Sequence, residues 1–218
     1  MKPWFLPLPF GPRAPGLAAI ATISLAALLT SCALSRPAPV KSMYLLDAAA
    51  PPAATVQKTA SLRIGVINVA APFRGKTLVS RRDDITYEAD FYSEYFVAPA
   101  AMLGEATAKA LTAANVFRRV IPPGASPDDG DYVLDGFATE LYGDQRQAGK
   151  AAAVITVTFY LSTTNTPTPK VVWSREYQQR VPVTDGSSDA LARALNSALS
   201  AILADLARDL AAATLPKT

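Results

Sequence analysis

Histidine is absent from this 218-residue chain, and much ordinary active-site chemistry is excluded with it. There is no Ser-His-Asp triad, no Cys-His dyad, no imidazole base and no His-ligated metal. Cysteine occurs once, at Cys32, which rules out intrachain disulfides, CxxC redox pairs and Cys-based zinc sites. An excess of one charge is also missing: 21 Lys and Arg stand against 18 Asp and Glu, a net charge of +3. That balance is too even for a nucleic-acid binder, and none is expected as a partner. The G-x-S-x-G, S-x-x-K and H-E-x-x-H signatures are lacking too. What the chain does have is apolar mass, since half its residues are hydrophobic. That is enough for one medium domain whose core needs no disulfide staple. Proline is unevenly spread, with nine of the 18 falling in the first 60 residues. The two ends of the chain are therefore different kinds of polymer.

Lys2 and Arg13 are the only charges before Arg36. Behind them runs an uncharged stretch of apolar and small residues, Leu17 to Leu29. As a helix it would rise about 20 Å, short of the roughly 30 Å of a bilayer core. A secretory signal fits this run better than a membrane span. Leu29-Thr30-Ser31-Cys32 has the form of a bacterial lipobox. Cys32 is accordingly the expected lipidation site, and residues 1–31 the expected lipoprotein signal peptide. Cleavage there would leave 19 basic against 18 acidic residues, a net +1. A diacylglycerol thioether with an N-acyl chain exceeds the two-signal threshold for stable anchoring, at about 0.8 kcal/mol per buried CH₂. Ala33 behind the Cys is what outer-membrane sorting usually looks like. Residues 32–60 read as the lipidated Cys and a Pro- and Ala-rich tether, interrupted by Met43-Tyr44-Leu45-Leu46. Residues 61–213 read as the folded domain.

Within that domain, β-branched runs mark strands at Leu62–Val69, Phe117–Ile121, Tyr132–Tyr142, Ala152–Ser162 and Val171–Val181. Thr77–Ser80 and Ile85–Glu88 suggest a hairpin about Arg81–Asp84. Ile155, Val157, Phe159 and Leu161 alternate on one face, and Val171, Trp173 and Tyr177 are expected inward. Pro99 suits the first turn of a helix running to Ala114, with Asn115 as its C-terminal cap. Ser187-Ser188-Asp189 supplies N-cap oxygens for a second helix. Leu191, Leu195, Leu199, Ile202, Leu206 and Leu210 then form one stripe at helical spacing. The expected fold class is α+β: a mainly antiparallel sheet of about five or six strands with two amphipathic helices packed on one face.

Few residue groups invite a chemical reading. Gly75-Lys76-Thr77 follows a strand, but Ala70 stands where a P-loop needs its first Gly, and no helix follows. Asp83, Asp84, Glu88, Asp90 and Glu94 are acidic without the alternating pattern of a calcium loop. Asp128, Asp129 and Asp131 around Gly130 read as a solvated turn. No catalytic residue, metal site or cofactor is assigned, and the chain is read as non-enzymatic. Phe91, Tyr92, Tyr95 and Phe96 place four of the 16 Phe and Tyr in six positions. Core packing is the first reading of this cluster; an aromatic partner-binding surface is the alternative.

In order, these motifs resemble the ABC-type transport auxiliary lipoprotein family of the PqiC type. The resemblance is carried by Cys32, then by Met43-Tyr44-Leu45-Leu46 and the strand Leu62–Val69. The hairpin with Val79-Ser80-Arg81, the aromatic run into Pro99, and Tyr132-Val133-Leu134-Asp135-Gly136 complete it. Many members carry Trp-Ala-x-Pro before the helix, where this chain has Phe96-Val97-Ala98-Pro99. The resemblance implies a lipoprotein anchored in the cell outer membrane and facing the periplasm. It would be a non-catalytic auxiliary of an ABC transporter, with a permease, an ATPase and a mammalian-cell-entry-type periplasmic protein as partners in lipid transport. Two other readings stand beside it: a pilotin or assembly lipoprotein, and a hydrolase working through carboxylates.

Overall fold

The computed structural model describes residues 40–124, 130–164 and 168–216. Cys32 and the expected signal peptide lie outside these residues, as do Asp128 and Asp129. In chain order the elements are β1 (Ser42–Tyr44), β2 (Lys58–Val69), a 3-10 turn at Ala71–Phe73, β3 (Thr77–Arg81) and β4 (Tyr87–Tyr95). They continue with α1 (Pro99–Ala114), β5 (Phe117–Ile121), β6 (Tyr132–Asp144), β7 (Ala152–Thr163), β8 (Val171–Pro182) and α2 (Ser188–Ala212).

The class is α+β, but among the described residues the sheet has eight strands and is mixed, which corrects the expected five or six mainly antiparallel strands. The long strand β6 organises it. One edge of β6 pairs antiparallel with β7 along its whole length, and β7 pairs antiparallel with β8. The other edge is shared. Its first half, Tyr132 to Ala138, takes β2 in parallel, and its end, Gly143 and Asp144, takes β3 in parallel. The sheet therefore forks into two arms, β2–β5 and β3–β4–β1. The first arm is parallel throughout; the second joins an antiparallel hairpin, β3–β4, to the parallel pair β4–β1. Phe73 of the 3-10 turn, Tyr87 of β4 and Tyr142 of β6 pack ring to ring, with centroids 5.5 to 5.9 Å apart.

Both helices lie on one side of the sheet, α1 over β2 and β5 and α2 over β7 and β8, and they touch each other. The stripe read from the α2 sequence faces inward, and all six of its residues are buried, together with Ala194, Ala198, Leu203 and Ala207. By length and composition α2 would span a bilayer, yet most of it is buried against the sheet. Ser187 Oγ accepts the Ala190 N–H at 3.1 Å, as its cap position requires. Asn115 closes α1 in the left-handed region at φ 54°. On β7, Ile155, Val157, Phe159 and Leu161 are all buried.

Two other expectations change. Val171 is exposed rather than inward, because a register shift between Leu161 and Ser162 breaks the alternation at the start of β8. The stretch assigned to the tether also belongs in part to the fold. Ser42–Tyr44 is a strand, Leu46, Ala48 and Pro51 are buried, and β2 begins at Lys58 rather than Leu62. Residues 45–57 lie against the helices. The Asp47 N–H reaches Asn196 Oδ1 at 3.1 Å and the Ala49 N–H reaches Ser200 Oγ at 2.9 Å. On the α1 side, Lys109 Nζ pairs with Asp47 at 2.8 Å and the Ala54 N–H reaches the Ala114 carbonyl at 2.7 Å. The Pro and Ala that suggest a tether also give a small-bodied chain that fits against two helices.

Candidate partner-docking surface

The aromatic cluster lies on β4, and the register of β4 decides which of its rings are exposed. Thr77 pairs with Glu94 and Val79 with Ala89, so Leu78 alone stands opposite Asp90, Phe91, Tyr92 and Ser93. Such a bulge bends a strand and re-aims its side chains. Asp90 holds it in place. One carboxylate oxygen accepts the Tyr92 N–H at 2.9 Å, the local turn that Asp favours, and the other accepts the Ser188 hydroxyl at 2.8 Å. The bulge is thus tied to the N-terminus of α2.

Past the bulge β4 alternates again. Tyr95 is 2% exposed and Ser93 is buried; Phe96, beyond the strand end, is 58% exposed. Burial pushes the Tyr95 phenol far above its ordinary pKa. Within the bulge Phe91 is 72% and Tyr92 46% exposed. Their rings meet edge to face at 5.1 Å. Of the four residues taken from the sequence, Tyr95 is core, and Phe91, Tyr92 and Phe96 form surface. The first reading of the cluster, core packing, therefore holds for Tyr95 alone.

Strand β1 extends this surface in a way the sequence reading did not assign. It pairs parallel with β4 through Ser42 and Ser93, Met43 and Glu94, and Tyr44 and Tyr95. The Phe96 N–H continues the ladder to the Tyr44 carbonyl at 2.8 Å. Met43 and Leu45 are exposed beside it. Lys41 Nζ bonds Glu94 at 2.7 Å and sits 5.4 Å from the centre of the Phe91 ring. Tyr44 donates to Asp189 Oδ1 at 2.6 Å; burial, then this bond, raises its pKa. The signal for Met43 and Leu45 was present in the sequence as the short run Met43-Tyr44-Leu45-Leu46 within a Pro- and Ala-rich stretch. What was missing was the pairing that brings them to β4.

The result is an apolar and aromatic band of Met43, Leu45, Phe91, Tyr92 and Phe96 at an outer edge of the sheet, with a Lys41–Glu94 pair on its rim. A groove of about 390 Å³ adjoins Phe91 and Tyr92 and carries Arg82, Glu88 and Gln145. Aromatic residues inside a polar rim suit protein docking.

The acidic residues have structural partners. Asp83 Oδ1 accepts the Ile85 and Thr86 N–H groups at 2.9 and 2.7 Å, turning the β3–β4 loop. Asp84 meets Arg146 at 3.3 Å, Glu88 meets Arg82 at 2.6 Å, and Asp131 accepts from the Ser61 backbone and hydroxyl. Lys76, of the P-loop-like triplet, donates to the Phe96 carbonyl at 3.1 Å. Among the described residues no three Asp, Glu or Cys side chains form a potential metal site.

The model of a family described as the ABC-type transport auxiliary lipoprotein component matches residues 44–207. No curated protein matches the chain by sequence. Protein XCC0632 from Xanthomonas campestris has a similar structure, with a TM-score of 0.68 at 17% identity, covering 76% of this chain and 92% of that one. A second crystal structure, of an uncharacterized protein, gives 0.61 at 16% identity, covering 78% and 99%. At these identities the likeness speaks for the fold alone.

Proposed function

We propose, on the premise that this chain belongs to the ABC-type transport auxiliary lipoprotein family, that it is a non-catalytic component of an intermembrane lipid transport system. Lipidation at Cys32 holds it in the outer membrane, and its domain stands in the periplasm. Its role is docking: the Met43, Leu45, Phe91, Tyr92 and Phe96 band receives a mammalian-cell-entry-type protein, itself joined to an ABC permease and ATPase.

The observation that carries this reading is where the band lies. Strand β1 follows directly on the segment expected to lead back to the anchor, and it presents Met43 and Leu45 beside the exposed rings of β4. A partner seated there lies, along the chain, about ten residues from Cys32. The lack of histidine and the structural use of the described carboxylates favour binding over catalysis. Affinity purification of the lipidated chain from its own membranes tests the reading. Recovery of the mammalian-cell-entry-type protein with permease and ATPase is the expected result. Recovery of a secretin or barrel-assembly protein in their place overturns it.

A further inference from the structure

The segment that leads from β1 to β2 does not close completely on α2. Between Pro52, Ala54 and Val56 on one side and Ala204, Ala207 and Ala211 of α2 on the other lies a groove of about 540 Å³. Its form follows from the sequence. The three Ala of α2 stand three and four residues apart and so share one face of the helix. Their methyl groups leave open the space that Leu or Ile would fill. The facing segment is kept from settling there by its bonds to the other side. The Ala54 N–H reaches the Ala114 carbonyl at 2.7 Å, and Gln57 Nε2 reaches the Phe117 carbonyl at 3.1 Å. Val56 is left 74% exposed.

The walls favour one kind of occupant. Among the described residues that line the groove, Thr55 and Arg208 carry the only polar side chains. Arg208 is already engaged, with Asp205 at 2.7 Å and Asp209 at 3.6 Å. A peptide laid there would bring an N–H and a C=O with every residue and find few partners, which is costly. A hydrocarbon chain brings neither. The volume is that of a small-molecule site, mostly apolar with a few placed polar groups. Those groups stand at the end of α2. Lys58 Nζ bonds the Ala211 and Ala213 carbonyls at 3.2 and 2.7 Å, which brings a positive charge to the end of the groove. Lys58 also lines a second groove, of about 560 Å³, with the exposed Arg118. Asp131, the acid of that groove, accepts from the Ser61 backbone and hydroxyl. Two cations beside an apolar slot match an amphiphile that carries a phosphate, the anion Arg and Lys bind best.

We infer that the chain itself binds phospholipid, with one acyl chain in the groove along Ala204–Ala211 and the phosphate at Lys58 and Arg118. The auxiliary then holds the transported lipid as well as its protein partner. The inference rests on the lipid-transport reading for its ligand in the cell. Its residues are not those of the Met43, Leu45, Phe91, Tyr92 and Phe96 band, so the two can fail separately.

The test uses the full lipidated chain in cells grown on radiolabelled phosphate. The photoreactive residue benzoylphenylalanine replaces Val56 or, as a control, Tyr160, which is exposed on the other face of the sheet. The anchor at Cys32 would carry acyl chains but no phosphate, so label on the irradiated chain reports a phospholipid and not the anchor. The Val56 position is expected to take at least tenfold more label than the Tyr160 position. Ala211→Phe, which fills the groove, is expected to lower it at least fivefold, and Ala204→Leu serves should the first not fold. Arg118→Glu is expected to lower it at least threefold. Equal labelling at the two positions overturns the inference, as does labelling at Val56 that a folded groove-filling variant leaves unchanged. Absence of label, as when the chain's own anchor or a protein segment fills the groove, overturns it too. Loss of partner recovery with labelling intact removes the docking role and leaves this site standing.

Discussion

Asp144 is 2% exposed and holds Arg146 Nη2 at 2.9 Å and Arg180 Nη1 at 2.7 Å. The Arg146 hydrogen bond, followed by that from Arg180, keeps its carboxyl well below the usual carboxylate range. A folded-state pKa below the unfolded value of about 3.9 contributes stability above that value. The contribution is lost as pH falls through about 4 toward the folded pKa. Asp144→Asn is therefore expected to cost about 2 kcal/mol at pH 7, the scale of a charged hydrogen bond. The deficit should shrink toward pH 2, as read by urea unfolding across pH. Gly65 is constrained by space: a Cβ there would collide with Asp135 Oδ1, the oxygen that accepts the Val66 N–H at 2.8 Å. Gly65→Ala is expected to lose about 1–3 kcal/mol in the same measurement. Asp135-Gly136 was visible as a motif, but its clasp on the irregular register of β2 between Ile64 and Ile67 was not, because the two partners, Val66 and Asp135, lie 69 residues apart.

At the scale of elements, what the sequence showed was what depends on near neighbours. The Leu and Ile spacing of α2, its Ser187 cap and the alternation of β7 are local, and each appears where expected. Ser187→Ala should cost about 1 kcal/mol, and Ile202→Ala, at a fully buried site, about 2–5 kcal/mol; thermal unfolding measures both. The bulge of β4 was half legible. Asp90 two residues before Tyr92 is a turn signal, but Leu78 facing four residues depends on the partner strand. Alternation alone would set Phe91 on the side of Tyr95, whose parity it shares, yet the bulge leaves it exposed. β1 was legible only as an apolar insert, since three residues carry no period.

At the scale of the molecule, the long-range pairings were beyond the sequence. A hairpin announces itself by a turn, but the parallel pairs β1–β4, β2–β6 and β3–β6 join strands separated by other elements. That is why a mainly antiparallel sheet was expected and a forked, mixed one was found. The fork also gives the candidate site its position, because it carries β4 and β1 to an outer edge. The most direct test of the account is the affinity of the chain for the mammalian-cell-entry-type protein, measured with Tyr92→Ala, Phe96→Ala and their combination. Phe137→Ala and Tyr160→Ala, exposed elsewhere on the sheet, serve as controls. The double variant is expected to lose at least a hundredfold in affinity, about 3 kcal/mol on the scale of aromatic hot spots, while both controls bind as the unsubstituted chain does. Unchanged binding by the double variant, with its unfolding transition intact, would contradict the docking role.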